Sequence, residues 1–209
     1  MSHLTKIEVP YALAIHKLRI RDSYDWHQKA WNAFPGRDGQ QRDFLSRIDE
    51  QEEAYRLLIL SPTAPQKPDW CPTDCFESKE VPDDFFYHPR YRFSLLANPT
   101  KKETKPGPDG KKVRTGRRVG IYQQEELVAW MQRKAESGGF ALESEPRVIS
   151  KPRSYFHQSK SKMNGVHHAV EFQGTLTVTD PELFKTTVHA GIGSAKAFGF
   201  GLLALAPLS

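Results

Sequence analysis

The sequence predicts an α+β fold built as two tandem βαββαβ units. Three observations predict it: short runs alternate apolar and polar residues as half-buried strands do, helical stripes fall between them, and the element order recurs after a basic, Pro- and Gly-bearing stretch in mid-chain. Leu4 to Val9 is the first strand. Asp22 and Ser23, both good N-caps, open a helix from Tyr24 to Phe34, which Pro35-Gly36 ends. Phe44 to Ile48 and Ala54 to Leu60 are the next strands, joined by the acidic turn Asp49 to Glu53. A Pro-rich stretch with a weak helical pattern leads to a strand at Tyr91 to Leu96.

In the second unit Val113 to Ile121 contributes a strand, and the helix Gln124 to Glu136 places Leu127, Trp130, Met131 and Ala135 on one stripe before Gly138-Gly139 stops it. Strands follow at Phe140 to Glu143 and Val166 to Val178. The latter has Val166, Val170, Phe172, Leu176 and Val178 on one face and Glu171, Gln173, Thr175 and Thr177 on the other. Asp180-Pro181 opens a helix to His189, Gly191 closes it, and Phe200 to Leu205 is the last strand. The expected division is 1–97 and 98–209, two ferredoxin-like (RRM-like) domains, each a four-stranded antiparallel sheet with helices on one face. A single larger α+β domain is the alternative.

Composition excludes several classes of function. With 38% hydrophobic residues, four Trp and twelve Phe in 209 residues, a core can be filled, and disorder throughout is excluded. No apolar run approaches the ~18 residues of a membrane span, and Met1 to Pro10 lacks a signal-peptide pattern, so a cytoplasmic protein is expected. Cys71 and Cys75 are too few for a zinc site of about four ligands, and the eight His are scattered, so no metal and no cofactor are expected. The net charge of +5 is unevenly spread: from Asn98 to Gly120, eight Lys or Arg face only Glu103 and Asp109. From Pro146 to Val170 there are Arg147, Lys151, Arg153, Lys160 and Lys162 with no acid. Such segments suit a polyanion, because neutralising phosphates releases counterions.

The string Gly191-Ile192-Gly193-Ser194-Ala195-Lys196-Ala197-Phe198-Gly199-Phe200-Gly201 holds four Gly in eleven residues, which lets backbone amides approach an anion. It lacks the P-loop's terminal Gly-Lys-Ser/Thr. A dinucleotide fingerprint would need a βαβ unit after it, where only eight residues remain, so no nucleotide cofactor is expected. Lys196 to Gly201 echoes an RRM's RNA-stacking octamer, but that octamer lies on a third strand with more fold behind it.

The same string, continuing into Leu202-Leu203, resembles the glycine-rich loop of the CRISPR repeat-processing endoribonucleases. Tyr24-Asp25-Trp26-His27-Gln28, Ala97-Asn98-Pro99-Thr100-Lys101 and Val128 to Lys134 are similar, in order along nearly the whole chain, to segments of the CasE subfamily of type I-E systems. The resemblance implies paired ferredoxin-like domains, metal-independent cleavage beside a repeat hairpin, and residence in the multi-subunit complex Cascade. The expected partners are therefore the CRISPR repeat RNA hairpin, the mature crRNA and other Cascade subunits.

The first helix carries chemistry that fits. Tyr24 and His27 are three apart, so they share a face near the positive end of the helix dipole. Cleavage by a 2′-hydroxyl needs a proton removed, a proton given to the leaving 5′-oxygen, and charge stabilised on the phosphoryl oxygens. His27 can move either proton, and Tyr24 can position the 2′-hydroxyl. Taken alone His27 is a surface or core histidine; the resemblance makes it catalytic and implies a 2′,3′-cyclic phosphate product with a 5′-hydroxyl on the other fragment. Expected RNA contacts are Lys101, Lys102, Lys160, Lys162, Gly193, Ser194, Lys196, Gly199 and Gly201. Two alternatives remain at this point: a non-catalytic subunit that binds an RNA hairpin, and a structural subunit that docks partners through the acidic stretch Asp74 to Asp84.

Overall fold

The computed structural model describes residues 1–37, 39–106, 112–158 and 163–208. In chain order the elements are β1 (Ser2–Pro10), α1 (Ser23–Trp31), β2 (Leu45–Glu50), β3 (Ala54–Ser61), β4 (Phe76–Val81), β5 (Arg90–Ala97), β6 (Thr100–Pro106) and β7 (Lys112–Gly120). There follow α2 (Gln124–Glu136), β8 (Phe140–Leu142), β9 (Arg147–Ser150), β10 (Ser154–Gln158), β11 (Met163–His167), β12 (Val170–Val178), α3 (Pro181–Ala190) and β13 (Leu203–Pro207). The fold is α+β with antiparallel pairing throughout the described strands.

The first sheet has the order β2-β3-β1-β4. Helix α1 lies between β1 and β2 in sequence, and its Trp26 and Ala30 share a core with Ile7, Val9, Leu57, Ile59, Phe34 and Phe44. The opposite face is not wet: Leu60 and Val81, with Leu4 and Leu58 beside them, join a second core that contains Val188, Leu202 and Leu203. Burial on both faces is why Leu57 to Leu60 is an unbroken apolar run.

The second sheet has the order β13-β5-β12-β8, with β9 also on β12, in the register Leu203↔Leu95 and Leu95↔Phe172. Leu127, Trp130, Met131 and Ala135 of α2 and Phe184 and Val188 of α3 are buried with Tyr91, Phe93, Leu95, Phe172 and Leu176. The stripe on α2 is the one the sequence predicts. Asp180 accepts from Leu183 N–H at 3.0 Å, with Pro181 in the first turn of α3. The pairs β6/β7 and β10/β11 form separate two-stranded ribbons.

Five expectations are corrected. Tyr91 to Leu96, expected to complete the first unit, is β5 and lies between β13 and β12, so the sheets divide between Val81 and Arg90, upstream of residue 97. The first sheet takes β4 instead, whose exposed Glu77 to Glu80 show no apolar alternation and which is tied to β1 by backbone pairing. Residues 62–89 hold no α-helix: prolines at 62, 65, 68 and 72 interrupt its hydrogen bonds, and 3₁₀ turns at Thr73–Cys75 and Asp83–Tyr87 flank β4. The Val113 to Ile121 strand pairs with β6 rather than entering the sheet, because Thr100 to Pro106 brings it no apolar face. The run Val166 to Val178 breaks at His168-Ala169, and Glu171, expected on a wet face, is only 6% exposed.

Candidate active site

Asp22 Oδ1 accepts hydrogen bonds from the N–H groups of Tyr24, at 2.9 Å, and Asp25, at 3.1 Å, so α1 begins where the sequence predicts. Its first two turns present Tyr24 and His27 together, half-buried, with ring centroids 6.5 Å apart. Trp31, one turn further on, donates its indole N–H to His27 Nε2 at 3.2 Å. His27 Nδ1 is buried and meets no hydrogen-bond partner among the described residues. Burial, helped by the nearby Arg42 guanidinium, pushes the imidazole down to about 4, so it is neutral at pH 7.

The C-terminal half reaches this helix twice. Phe198, on a 3₁₀ turn at Lys196–Phe198, has its ring 6.5 Å from that of His27. Tyr155 C=O on β10 accepts from Ser23 Oγ at 3.2 Å, seating the β10/β11 ribbon on the N-terminal end of α1. Phe156 stacks on His167 at 4.9 Å, and both rings touch Phe198, at 4.6 and 4.8 Å. An aromatic path thus joins His27 to the ribbon.

The glycine-rich loop is built inward as much as outward. Ile192 N–H donates to Gly201 C=O and Gly201 N–H to Leu96 C=O, at 2.9 and 2.8 Å. At Gly201, φ is +91° and a Cβ would lie 2.9 Å from Ile192 O, so only Gly fits. Ser194 Oγ donates to Asn98 C=O at 2.9 Å and accepts from Asn98 Nδ2 at 3.3 Å, while Asn98 Oδ1 accepts from His168 N–H. Gly193 faces the Trp130 ring, and Gly199, with φ of +87°, ends the 3₁₀ turn. Lys196 donates to Ala190 C=O at 2.6 Å, and its own carbonyl accepts from Arg42 at 2.8 Å. Burial and the neighbouring Arg42 and Lys134 lower the pKa of the Lys196 ammonium.

Between the sheets lies a cleft of about 820 Å³, walled by Arg21, Ser23, Arg56, Arg153, Tyr155 and Phe198 among others. Its floor is an ionic junction. Arg47 of β2, 5% exposed, donates to Asp49 at 2.7 Å and to Glu171 of β12 at 3.0 Å, while Ser94 and Lys151 bond the same Glu171 at 2.8 Å. Burial opposes the charge on Glu171, but Lys151, Gln173, Ser94 and Arg47 outweigh it and hold the carboxyl at about 2.

Of the residues singled out from the sequence, Tyr24, His27, Lys196 and Gly199 are thus gathered at the junction of α1 and the glycine-rich loop. Gly193, Ser194 and Gly201 shape that loop from behind. Lys101 and Lys102 are exposed on the β6/β7 ribbon, where Lys101 pairs with Glu126 at 2.6 Å. Lys160 and Lys162 lie outside the described residues. Sequence reasoning gave no individual role to Arg42, Asn98, Phe198 or Trp31, although Asn98 and Phe198 lie in the segments that carry the resemblance and Trp31 stands at i, i+4 from His27. Among the described residues no group of three or more His, Cys, Asp or Glu could hold a metal ion, and no helix is long and apolar enough to cross a membrane.

Residues 2–207 match the profile of a family described as CRISPR associated protein. The Cascade subunit CasE of Escherichia coli K12 is 32% identical over 190 residues, which cover 90% of this chain and 94% of the relative. The chain belongs to the CasE/Cse3 family. A second relative of this CasE/Cse3 chain is the CRISPR-associated endoribonuclease Cse3 of Thermus thermophilus, 30% identical over 221 residues, with 98% and 99% of the two chains covered. Among solved structures, Cas6e from E. coli K-12 superposes with a TM-score of 0.71 at 28% identity over the full length of both chains. A Cse3 endoribonuclease bound to a 19-nucleotide RNA superposes with a TM-score of 0.74 at 28% identity, covering 99% of this chain and all of that one.

Proposed function

We propose that this CasE/Cse3-family chain is a CRISPR RNA maturation endoribonuclease. It cuts precursor repeat RNA at the base of a hairpin by attack of the 2′-hydroxyl on the adjacent phosphate, without a metal, and leaves 2′,3′-cyclic phosphate and 5′-hydroxyl ends. The observation that carries the reading is the Tyr24/His27 pair at the N-terminal end of α1, opposite Phe198 and beside a cleft edged by Arg21, Arg56 and Arg153. His27 moves a proton, Tyr24 positions the hydroxyl, and Arg42 with the helix dipole favours the phosphate. The retained hairpin lies against the ribbons, with Lys101, Lys102, Lys160 and Lys162 as phosphate contacts, and the product stays in a Cascade-type assembly. Relatives named as a Cascade subunit and as an endoribonuclease support this reading. So does the order of the two sheets: the first sets its fourth, first, third and second strands side by side, and the five-stranded second sheet repeats that order with β8 and β9, both paired to β12, counted as one interrupted strand, as tandem ferredoxin-like units would.

One observation favours a second reading, a non-catalytic hairpin-binding subunit: Nε2 of His27 is engaged by Trp31 and Nδ1 is buried. Catalysis requires the imidazole to exchange the indole for RNA. Incubation with hairpin-repeat RNA in excess chelator, followed by end-group analysis, separates the two. Cleavage with a 5′-hydroxyl fragment is expected, and deoxyribose at the attacking nucleotide abolishes it; a requirement for divalent metal, or cutting of the deoxy substrate, overturns the mechanism.

A further inference from the structure

Trp31 belongs to two places at once. Its indole N–H holds His27, and its ring lines a second cavity, of about 820 Å³, at the C-terminal end of α1. Trp70 stands in the same wall, fixed to the end of the helix by a 3.0 Å bond from its Nε1 to Asn32 Oδ1. Gln28 and Gln66 add two primary amides to the lining, and the cations Arg37 and Lys67 stand there beside the carboxylate of Asp69, with Arg37 paired to Asp43 at 2.7 Å and Lys67 donating to Cys71 C=O at 3.0 Å. The volume falls within the range of roughly 300–1,000 Å³ typical of small-ligand pockets. Indole faces accept any base by stacking, amides meet base edges, and a cation meets the backbone phosphate.

The direction of the helix decides which nucleotide this cavity meets. The β10/β11 ribbon sits at the N-terminal end of α1 through Ser23 and Tyr155, and the cavity sits at the other end, with His27 between them. Four residues separate His27 from Trp31, about 6 Å along a helix axis, a short step for the nucleotide next to a phosphate held at His27. We propose that this cavity is a subsite for the unpaired nucleotide that adjoins the scissile phosphate on the side away from the retained hairpin, with Trp31 and Trp70 as its stacking faces. The proposal rests on the endoribonuclease reading above and adds to it a way of holding precursor more tightly than product.

The test uses the full chain and hairpin RNAs made uncleavable by deoxyribose at the attacking nucleotide. One RNA ends at the cut, one extends three nucleotides beyond it, and one carries the same extension with an abasic site at its first nucleotide. On the parent protein the extended RNA binds tighter than its abasic counterpart by roughly 5- to 100-fold, the range expected for one base–aromatic stack. In Trp70→Ala that abasic penalty shrinks to the share that the Trp31 face supplies, and in Trp70→Phe more of it remains. Equal affinity of the extended and abasic RNAs on the parent overturns the subsite, a comparison that needs no variant to fold; so does an undiminished penalty in Trp70→Ala. If the parent binds no hairpin RNA at all, the endoribonuclease reading falls and the subsite with it, whereas hairpin binding without a penalty removes the subsite alone.

Discussion

Replacing Glu171 with Gln tests the ionic junction that joins the two sheets. The side chain is about 8% exposed, and its carboxylate meets Arg47 of the first sheet as well as Ser94, Lys151 and Gln173. Holding the carboxyl at about 2, against an ordinary value of 4.5, corresponds to about 3 kcal/mol of folded-state stabilisation at pH 7, each pKa unit being 1.36 kcal/mol. Arg47 keeps Asp49 and Ser94 as partners, so the guanidinium is not left unpaired and the loss stays near that figure. For a chain of this length the midpoint of thermal unfolding should fall by about 6–12 °C. Because the folded pKa is depressed, the stabilisation is complete above about pH 4.5 and lost as the pH falls through about 2. Parent and variant, followed by circular dichroism melts, should therefore differ most at pH 7, by roughly half as much at pH 3, and hardly at all near pH 2. A melting point unchanged at pH 7, or a gap that does not narrow in acid, would refute the assignment of this junction as a stabilising contact.

Three further outcomes are expected. His27→Ala slows single-turnover cleavage by about 10²–10⁴ while hairpin affinity stays within a few fold, and Tyr24→Phe slows it less; parental cutting by His27→Ala would end the catalytic assignment. Trp31→Phe removes the N–H that the neutral imidazole accepts at Nε2, so the His27 pKa rises from about 4, measurable by NMR titration of the ring protons. Asp22→Ala removes both N-cap bonds of α1 at a cost of about 1 kcal/mol, and cleavage falls with it if Tyr24 and His27 depend on that cap, a link that paired melting and rate measurements check.

What was legible in the sequence was what local rules determine. The caps at Asp22 and Asp180, the stripe on α2 and the Gly at 191 that closes α3 each act within one or two helical turns, and each stands where it was expected. The assignment of strands to sheets was less legible, because pairing partners are non-local. Glu77 to Glu80 carry no apolar signal since backbone pairing and the polar contacts of Ser78 with Thr5 and Glu77 with Lys6 hold that edge, while Tyr91 to Leu96 looks the same whichever sheet it enters. The pairing of Tyr24 with His27 followed from helical spacing, but Phe198 is brought there by a chain segment far away in sequence, and Asn98 meets Ser194 of the glycine-rich loop in the same non-local way. Glu171 alternates in sequence like an exposed residue; the arrival of Lys151, Ser94 and Arg47, the last 124 residues upstream, makes its burial tolerable.

The second face of the first sheet bears on how the molecule can move. Leu4, Leu58, Leu60 and Val81 are covered by Val188, Leu202 and Leu203 from the C-terminal half, so opening the two halves about a hinge would wet an apolar surface on both sides. Such a motion is opposed by the same force that keeps the chain folded. Residues 1–89 expressed alone would carry that face uncovered and aggregate, and the whole chain should melt in one cooperative step. The two ribbons belong to neither sheet, and the β10/β11 ribbon is held to the rest of the molecule through Ser23, Phe198 and the core residue Phe200.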